Sequence, residues 1–381
     1  MQTVAEMWLV LQLTRSGVAV GIAAALQFTP MLVAGAWGGL LADRFDKRRL
    51  LIATQTAMAL PALALLTLTA TGAIELWMLY LLIVARGAVN AVDNPARQAF
   101  LVELVGPDRL VNAVSLGSAL VNGARTVGPA LAGVLIATAG VEPCFALNAA
   151  SFAAMIVALR GMDRAALRNV PPAARRPGQV RNGLRYVRAT PELWIPLALM
   201  ALVGTFTFNF QTLLPLLATF GFGGGAGAYA ALTSAMGLGA IAGAIANGAR
   251  SRVRPALLAG AAAAFGALVV AAALAPSVAL ASLALVPVGA ASVVFSASVN
   301  SFLQLAVAPH MRGRVMALYS VVFLGSTPIG GPLMGWLAGA AGPRAALALG
   351  GLAALAAAAW ARVTFARAGI AAGEPVAAPA A

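Results

Sequence analysis

The chain has 381 residues, of which 61% are hydrophobic and only 9% charged, and it carries a formal net charge of +14. A mean hydropathy of +0.91 excludes an ordinary soluble domain. The basic residues gather in alternate polar breaks, as in a membrane protein facing an anionic leaflet, which argues against nucleic-acid binding. Apolar runs of 18 or more residues recur without the period-2 alternation of barrel strands. In hydrocarbon every backbone polar group must be satisfied within its own segment, so these runs are spanning helices.

Spans are predicted at 1–14, 17–42, 50–71, 76–98, 110–138, 144–162, 192–219, 226–248, 255–275, 278–306, 312–340 and 344–365. The first is short. About 14 helical residues rise about 21 Å, against a hydrocarbon core about 30 Å thick. The expectation is therefore a first helix that begins upstream. One set of breaks holds Arg44 to Arg49, Arg97, Arg109, the stretch from Arg160 to Arg188, Arg250 to Arg254, Arg312, Arg314, Arg362 and Arg367; the other holds only Arg15 and Arg344. The positive-inside rule puts the first set, and both termini, in the cytoplasm.

The stretch 163–191 carries Pro171, Pro172, Pro177 and many arginines, and reads as a cytoplasmic linker with a surface-lying helix near 179–189. It separates a first six-span bundle, 1–162, from a second, 192–369; the Ala- and Pro-rich end, 370–381, is expected to be disordered. The halves are related. Val127-Gly128-Pro129 with Gly133 parallels Gly330-Gly331-Pro332 with Gly335, and the same offset lays Arg109 on Arg312. An offset one residue longer lays Gly39 on Gly243. A duplicated unit around a central cavity is the architecture of transporters that rock between two faces.

Charge inside a span is costly, about 2.5–3.5 kcal/mol for an arginine on insertion scales. Arg86 and Arg125 must therefore face a cavity or a partner. Arg86, Asn90 and Asp93 are spaced for one helical face. Glu6 is the carboxylate lying well inside a span, which makes it the candidate protonatable group. Asn209 and Gln211 are expected to face inward, with Phe210 as an aromatic wall, and Ser296 and Asn300 form a similar polar pair in the tenth span. Phe206, Phe208 and Phe210 wrap much of the seventh span, and some of them are candidates to stack against aromatic substrates. Cys144 is the one cysteine and His310 the one histidine, so neither a disulfide nor a metal site is expected. The sequence has no phosphate-binding loop and no nucleophile–base set, so no enzyme and no cofactor are expected. A proton gradient is the expected source of energy.

The pattern Gly39-x-x-x-Asp43-Arg44-x-x-x-Arg48-Arg49 resembles the loop that defines the major facilitator superfamily, although Asp46 stands where the family has a second glycine. The resemblance extends over essentially the whole chain and implies twelve helices in two bundles, all-α and embedded in the membrane. It implies that this loop, with Arg97, latches one conformation. Asn122-Gly123-Ala124-Arg125 through Gly128, Pro129 and Gly133 resembles the superfamily's antiporter motif, and Gly331, Gly335 and Gly339, with Pro332, are expected to form the matching helix-packing face. Asp93-Asn94-Pro95-Ala96-Arg97-Gln98, Trp8 through Thr14 and Asn209 through Leu216 are similar to the branch that includes the enterobactin exporter and related drug and siderophore efflux proteins. The resemblance implies a monomeric, proton-coupled exporter of a small molecule in the bacterial inner membrane. Uptake of a small solute, or a non-transporting receptor with the same fold, are the alternatives.

Overall fold

The computed structural model describes residues 1–106, 109–163, 179–248, 254–308 and 311–370, without side chains at helix positions 36–40, 42–43, 110–112, 114–115, 118–119, 121–122, 125–126, 179–183 and 248. His310, the linker at 164–178 and the tail at 371–381 lie outside the described residues. The first bundle contains α1 (Gln2–Thr14), α2 (Gly17–Arg44), α3 (Lys47–Ala70), α4 (Leu76–Val105), α5 (Leu110–Ala139) and α6 (Glu142–Gly161). A short basic helix, α7 (Gln179–Ala189), follows. The second bundle contains α8 (Pro191–Phe206), α9 (Phe210–Leu216), α10 (Ala226–Gly248), α11 (Pro255–Ala273), α12 (Val278–Ala306), α13 (Arg312–Ala341) and α14 (Pro343–Arg367). Among the described residues, ten segments are long and apolar enough to cross a bilayer, with α8, α9 and the turn after them counted as one.

Local chemistry places the joints. Ser16 ends the two-residue connection after α1 and caps α2, its Oγ accepting from the Ala19 N–H at 3.3 Å. Asp46 caps α3, accepting from the Arg49 N–H at 2.7 Å. Pro191, Pro255 and Pro343 each stand in a first helical turn, where a missing N–H costs nothing. We expect Asp46→Ala to lower stability by about 1 kcal/mol and Asp46→Gly by only a few tenths. Thermal unfolding in detergent reads the difference, and an Asp46→Ala variant as stable as the unmodified protein would mean that the cap contributes nothing.

The packing repeats between the halves. In the first bundle α2 lies on α4, α3 on α6 and α3 on α4; in the second α10 lies on α12, α11 on α14 and α11 on α12. The bundles meet through two equivalent crossings, α2 on α13 and α5 on α10. The order matches the sequence duplication and puts the breaks rich in arginine at one end, hereafter the basic end. The opposite end carries the α1–α2 and α5–α6 connections.

The seventh span differs from expectation. It is not one helix over 192–219 but α8, a break at Thr207–Asn209, α9 and a π-helical turn at Leu217–Gly221. Side chains stabilise the break. Thr207 Oγ1 donates to the Gly350 carbonyl of α14 at 2.7 Å, and Asn209 Nδ2 donates to the Thr205 carbonyl at 2.7 Å. These bonds compete with the helical ladder.

Candidate functional site

Glu6 is fully buried on α1, and its carboxylate Oε2 accepts from the Arg86 guanidinium of α4 at 2.7 Å. The other oxygen accepts from Gln2 Nε2, one turn earlier on α1, at 2.7 Å. Asn148 Nδ2 of α6 donates in turn to the Gln2 side-chain oxygen Oε1. Three helices thus converge on one ion pair. Arg86 is mostly buried, at 15% exposure, and its Nε has no partner. The Gln27 side-chain oxygen on α2 is also buried without a partner, and α4 comes close there because Gly87 lies against the Gln27 backbone carbonyl. The sequence pointed to Glu6 and Arg86. It did not point to Gln2, Asn148 or Gln27, although an amide inside an apolar span was the available signal.

An ion pair in such a place is conditionally stable. Desolvation costs several kcal/mol per ion, and removing one partner leaves an uncompensated charge at about 3–5 kcal/mol. A proton on Glu6 has the same electrostatic effect as removing its charge: Arg86 loses its counter-ion and must find water or another acceptor. The cluster therefore ties the charge balance of the pair to the packing of α1 against α4.

Asp93 does not join Arg86. It is buried at 2% exposure and turned toward α3, where its Oδ1 accepts from Thr54 Oγ1 at 2.7 Å and Gln55 Nε2 at 2.8 Å. Its Oδ2 accepts from Arg97 at 2.7 Å. Asn90, between Arg86 and Asp93, is exposed. Around Asp93 the basic end is cross-braced. Arg48 donates from Nε to the Leu159 carbonyl at 2.6 Å and from a terminal nitrogen to the Arg160 carbonyl at 2.8 Å. Those carbonyls belong to the last turn of α6, where partial negative charge favours a cation. Lys47 pairs with Glu103 at 3.0 Å. Arg44 and Arg49 are exposed. Gly39, Asp43 and Arg125 lie on described helices, but their side chains are outside the described residues.

In the second bundle the break turns Phe208 into the core, its ring centroid 5.1 Å from Phe265, 6.3 Å from Phe295 and 5.8 Å from Phe323. Phe210 is buried against Phe265 at 6.1 Å. These two rings are packing elements of the bundle rather than an open stacking wall. Asn209 is buried with its side-chain oxygen unpartnered, as is Thr212 Oγ1 one turn on; Gln211 is exposed. Ser296 Oγ donates to the Val293 carbonyl at 3.2 Å, and Asn300 accepts from Gln304 at 2.6 Å.

The bundles touch closely at the end opposite the basic loops. A methyl group on Gly335 of α13 would strike the Gly17 carbonyl of α2, and one on Gly21 would strike the Gly331 carbonyl. On the equivalent crossing, a methyl group on Gly133 of α5 would overlap the Ala230 side chain of α10. Trp8 of α1 stacks on Tyr229 of α10, with centroids 6.0 Å apart and the planes inclined by 17°. Gly128 instead faces Met1 inside the first bundle, while Pro129 and Pro332 sit within α5 and α13.

Residues 1–375 match the family model described as transmembrane secretion effector. The chain belongs to this family of major facilitator proteins. It is 31% identical over 215 residues to the staphyloferrin A transporter of Staphylococcus aureus (strain NCTC 8325 / PS 47), covering 55% of this chain and 53% of that protein. It is 30% identical over 217 residues to the multidrug efflux pump Tap of Mycolicibacterium fortuitum, covering 53% and 51%. The chain thus spans about half the length of these curated relatives. Among solved structures it resembles the nucleoside transporter NupG (TM-score 0.73, 13% identity, 95% and 94% of the two chains). It also resembles a bacterial homolog of the human lysosomal transporter Spinster in an inward-facing, unoccupied conformation (TM-score 0.70, 14%, 96% and 92%). At these identities the likeness establishes the fold. The protein is an all-α, multi-pass bacterial membrane protein of a transporter family. In this major facilitator protein, the turn that the superfamily makes with a second glycine is made by Asp46, whose φ of −54° needs no glycine and whose carboxylate caps α3.

Proposed function

We propose that the protein is a secondary active transporter that exports a small drug-like or siderophore-like molecule across the bacterial inner membrane in exchange for protons. It works as a monomer, with the basic end and both termini in the cytoplasm. The observation that carries this reading is the fully buried Glu6 paired with Arg86. A proton taken up by this carboxylate breaks the pair, and the energetic consequence of that step is a rearrangement of α1 against α4. The Gly17–Gly335, Gly21–Gly331 and Gly133–Ala230 contacts hold the end opposite the basic loops shut in this conformation. The brace at Arg48, Asp93 and Arg97 stiffens α3, α4 and α6 into one body, so that the bundle moves as a unit. The curated relatives, a siderophore transporter and a drug pump, support a small-molecule cargo.

Purified protein in proteoliposomes should move a fluorescent drug-like dye or staphyloferrin A against its gradient when an opposing pH gradient is imposed. Movement should stop when a protonophore collapses that gradient. Binding without movement, or movement indifferent to the protonophore, would rule out proton-coupled export.

A further inference from the structure

The seam between the bundles closes the end opposite the basic loops, yet that same end is indented inside the first bundle. A cleft of about 210 Å³ lies between the outer turns of α1, α3, α5 and α6, lined by Leu9, Gln12, Thr69, Ile136 and Glu142 among others. At about 30 Å³ per water, it holds several molecules. Glu142 is its one charged group and makes no hydrogen bond or ion pair among the described residues. A methyl group on Gly140 would strike the Glu142 carboxylate, so the glycine leaves room for that group over the chain.

The lining of the cleft includes one residue of α1 that lies close to Glu6 along the helix. Leu9 stands three residues after Glu6 on α1, a rise of about 4.5 Å and less than one turn, on the same side of the helix. Trp8, by contrast, points to the seam and Tyr229. One helix thus presents neighbouring residues to the closed seam and to the cleft.

We infer that this cleft is the outer proton entrance to Glu6, separate from the substrate route between the bundles, with Glu142 as the group that gathers protons. The inference rests on the proton-coupled reading above. A hydronium ion gives its proton to the Glu142 carboxylate or to cleft water. Water carries it past Leu9 to the Glu6 carboxylate, which becomes a neutral acid and releases Arg86. A single carboxylate over low-dielectric walls raises the local cation concentration and the rate of delivery. The arrangement lets protons load while the seam is shut, so the coupling ion and the substrate never compete for one opening.

Two measurements test it, in a Cys144→Ala background. Leu9→Cys and Gln12→Cys should react with a membrane-impermeant thiol reagent added on the side opposite the basic loops. They should do so equally fast when the seam is cross-linked shut. Glu142→Gln should slow transport driven by a pH gradient about tenfold, leaving substrate–substrate exchange unchanged. If neither cysteine is labelled with the seam shut, or if Glu142→Gln leaves gradient-driven transport untouched or slows exchange to the same degree, the inference fails. Failure of the coupling reading looks different: the unmodified protein itself shows no response to a pH gradient, whatever the labelling result.

Discussion

Glu6→Gln should abolish transport driven by a pH gradient while leaving substrate exchange at equilibrium measurable. The amide keeps the shape of the side chain but has one acceptor oxygen where the carboxylate has two, so Arg86 keeps a neutral acceptor while the Gln2 amide loses its own. The charge is lost, and with it the capacity to alternate between ionised and neutral forms. The structure also predicts how stability changes. Arg86→Leu leaves Glu6 buried with no counter-charge, and each single change should cost about 3–5 kcal/mol by stranding one ion. Glu6→Gln with Arg86→Leu strands neither, and should recover most of that loss while remaining unable to couple. Thermal unfolding in detergent for the two single variants and the double variant gives the coupling energy. Additive losses would show that the two residues do not act as a pair, contrary to their 2.7 Å separation.

The second large effect belongs to the seam. Gly335→Val or Gly21→Val puts a branched side chain against the main chain of the facing helix, which cannot yield as a flexible side chain does. Overpacking of this kind costs about 1–3 kcal/mol. The cost falls on the closed arrangement alone, because the contact is between bundles. The population should therefore shift from closed to open by roughly 5- to 150-fold. Transport should fall about fivefold or more, with only a small change in thermal stability, since both bundles stay intact. Thiol accessibility or inter-bundle distances by spin labelling would report the opening. Gly339→Val, one turn further along α13 where nothing lies within 4 Å of an added carbon, is the control and should transport normally. Equal loss in the control would point to α13 itself rather than to the seam.

Much of the fold could be read from the chain because hydrocarbon leaves few choices. Long apolar runs became helices at nearly their predicted limits, as with 278–306, and the paired Gly-Pro motifs signalled the duplication. The break at Thr207–Asn209 could not be read, since no glycine or proline marks it. It depends on a carbonyl of Gly350, far away in sequence, and on side-chain bonds that form only when α8 has a neighbour to lean on. The site was legible in part. Charge inside a span singled out Glu6 and Arg86, since burial demands a partner. Helical spacing misled at Asp93. Two turns along α4, the same stripe that meets α1 at Arg86 meets α3 instead, and spacing on one helix says nothing about which neighbour lies at each depth. Gln2 and Asn148 carried a signal, an amide inside an apolar span, but that they join one chain of bonds to the buried carboxylate shows only once three helices are assembled.

The proposal rests on one carboxyl group that takes up a proton when it gives up its arginine. The direct measurement is proton release in weakly buffered detergent solution when a transported substrate is added to the purified protein. At a pH low enough to keep Glu6 neutral and Arg86 released, the unmodified protein should release a proton on binding, and Glu6→Gln should release none. Equal release from both would place the exchanged proton on another group and contradict the account.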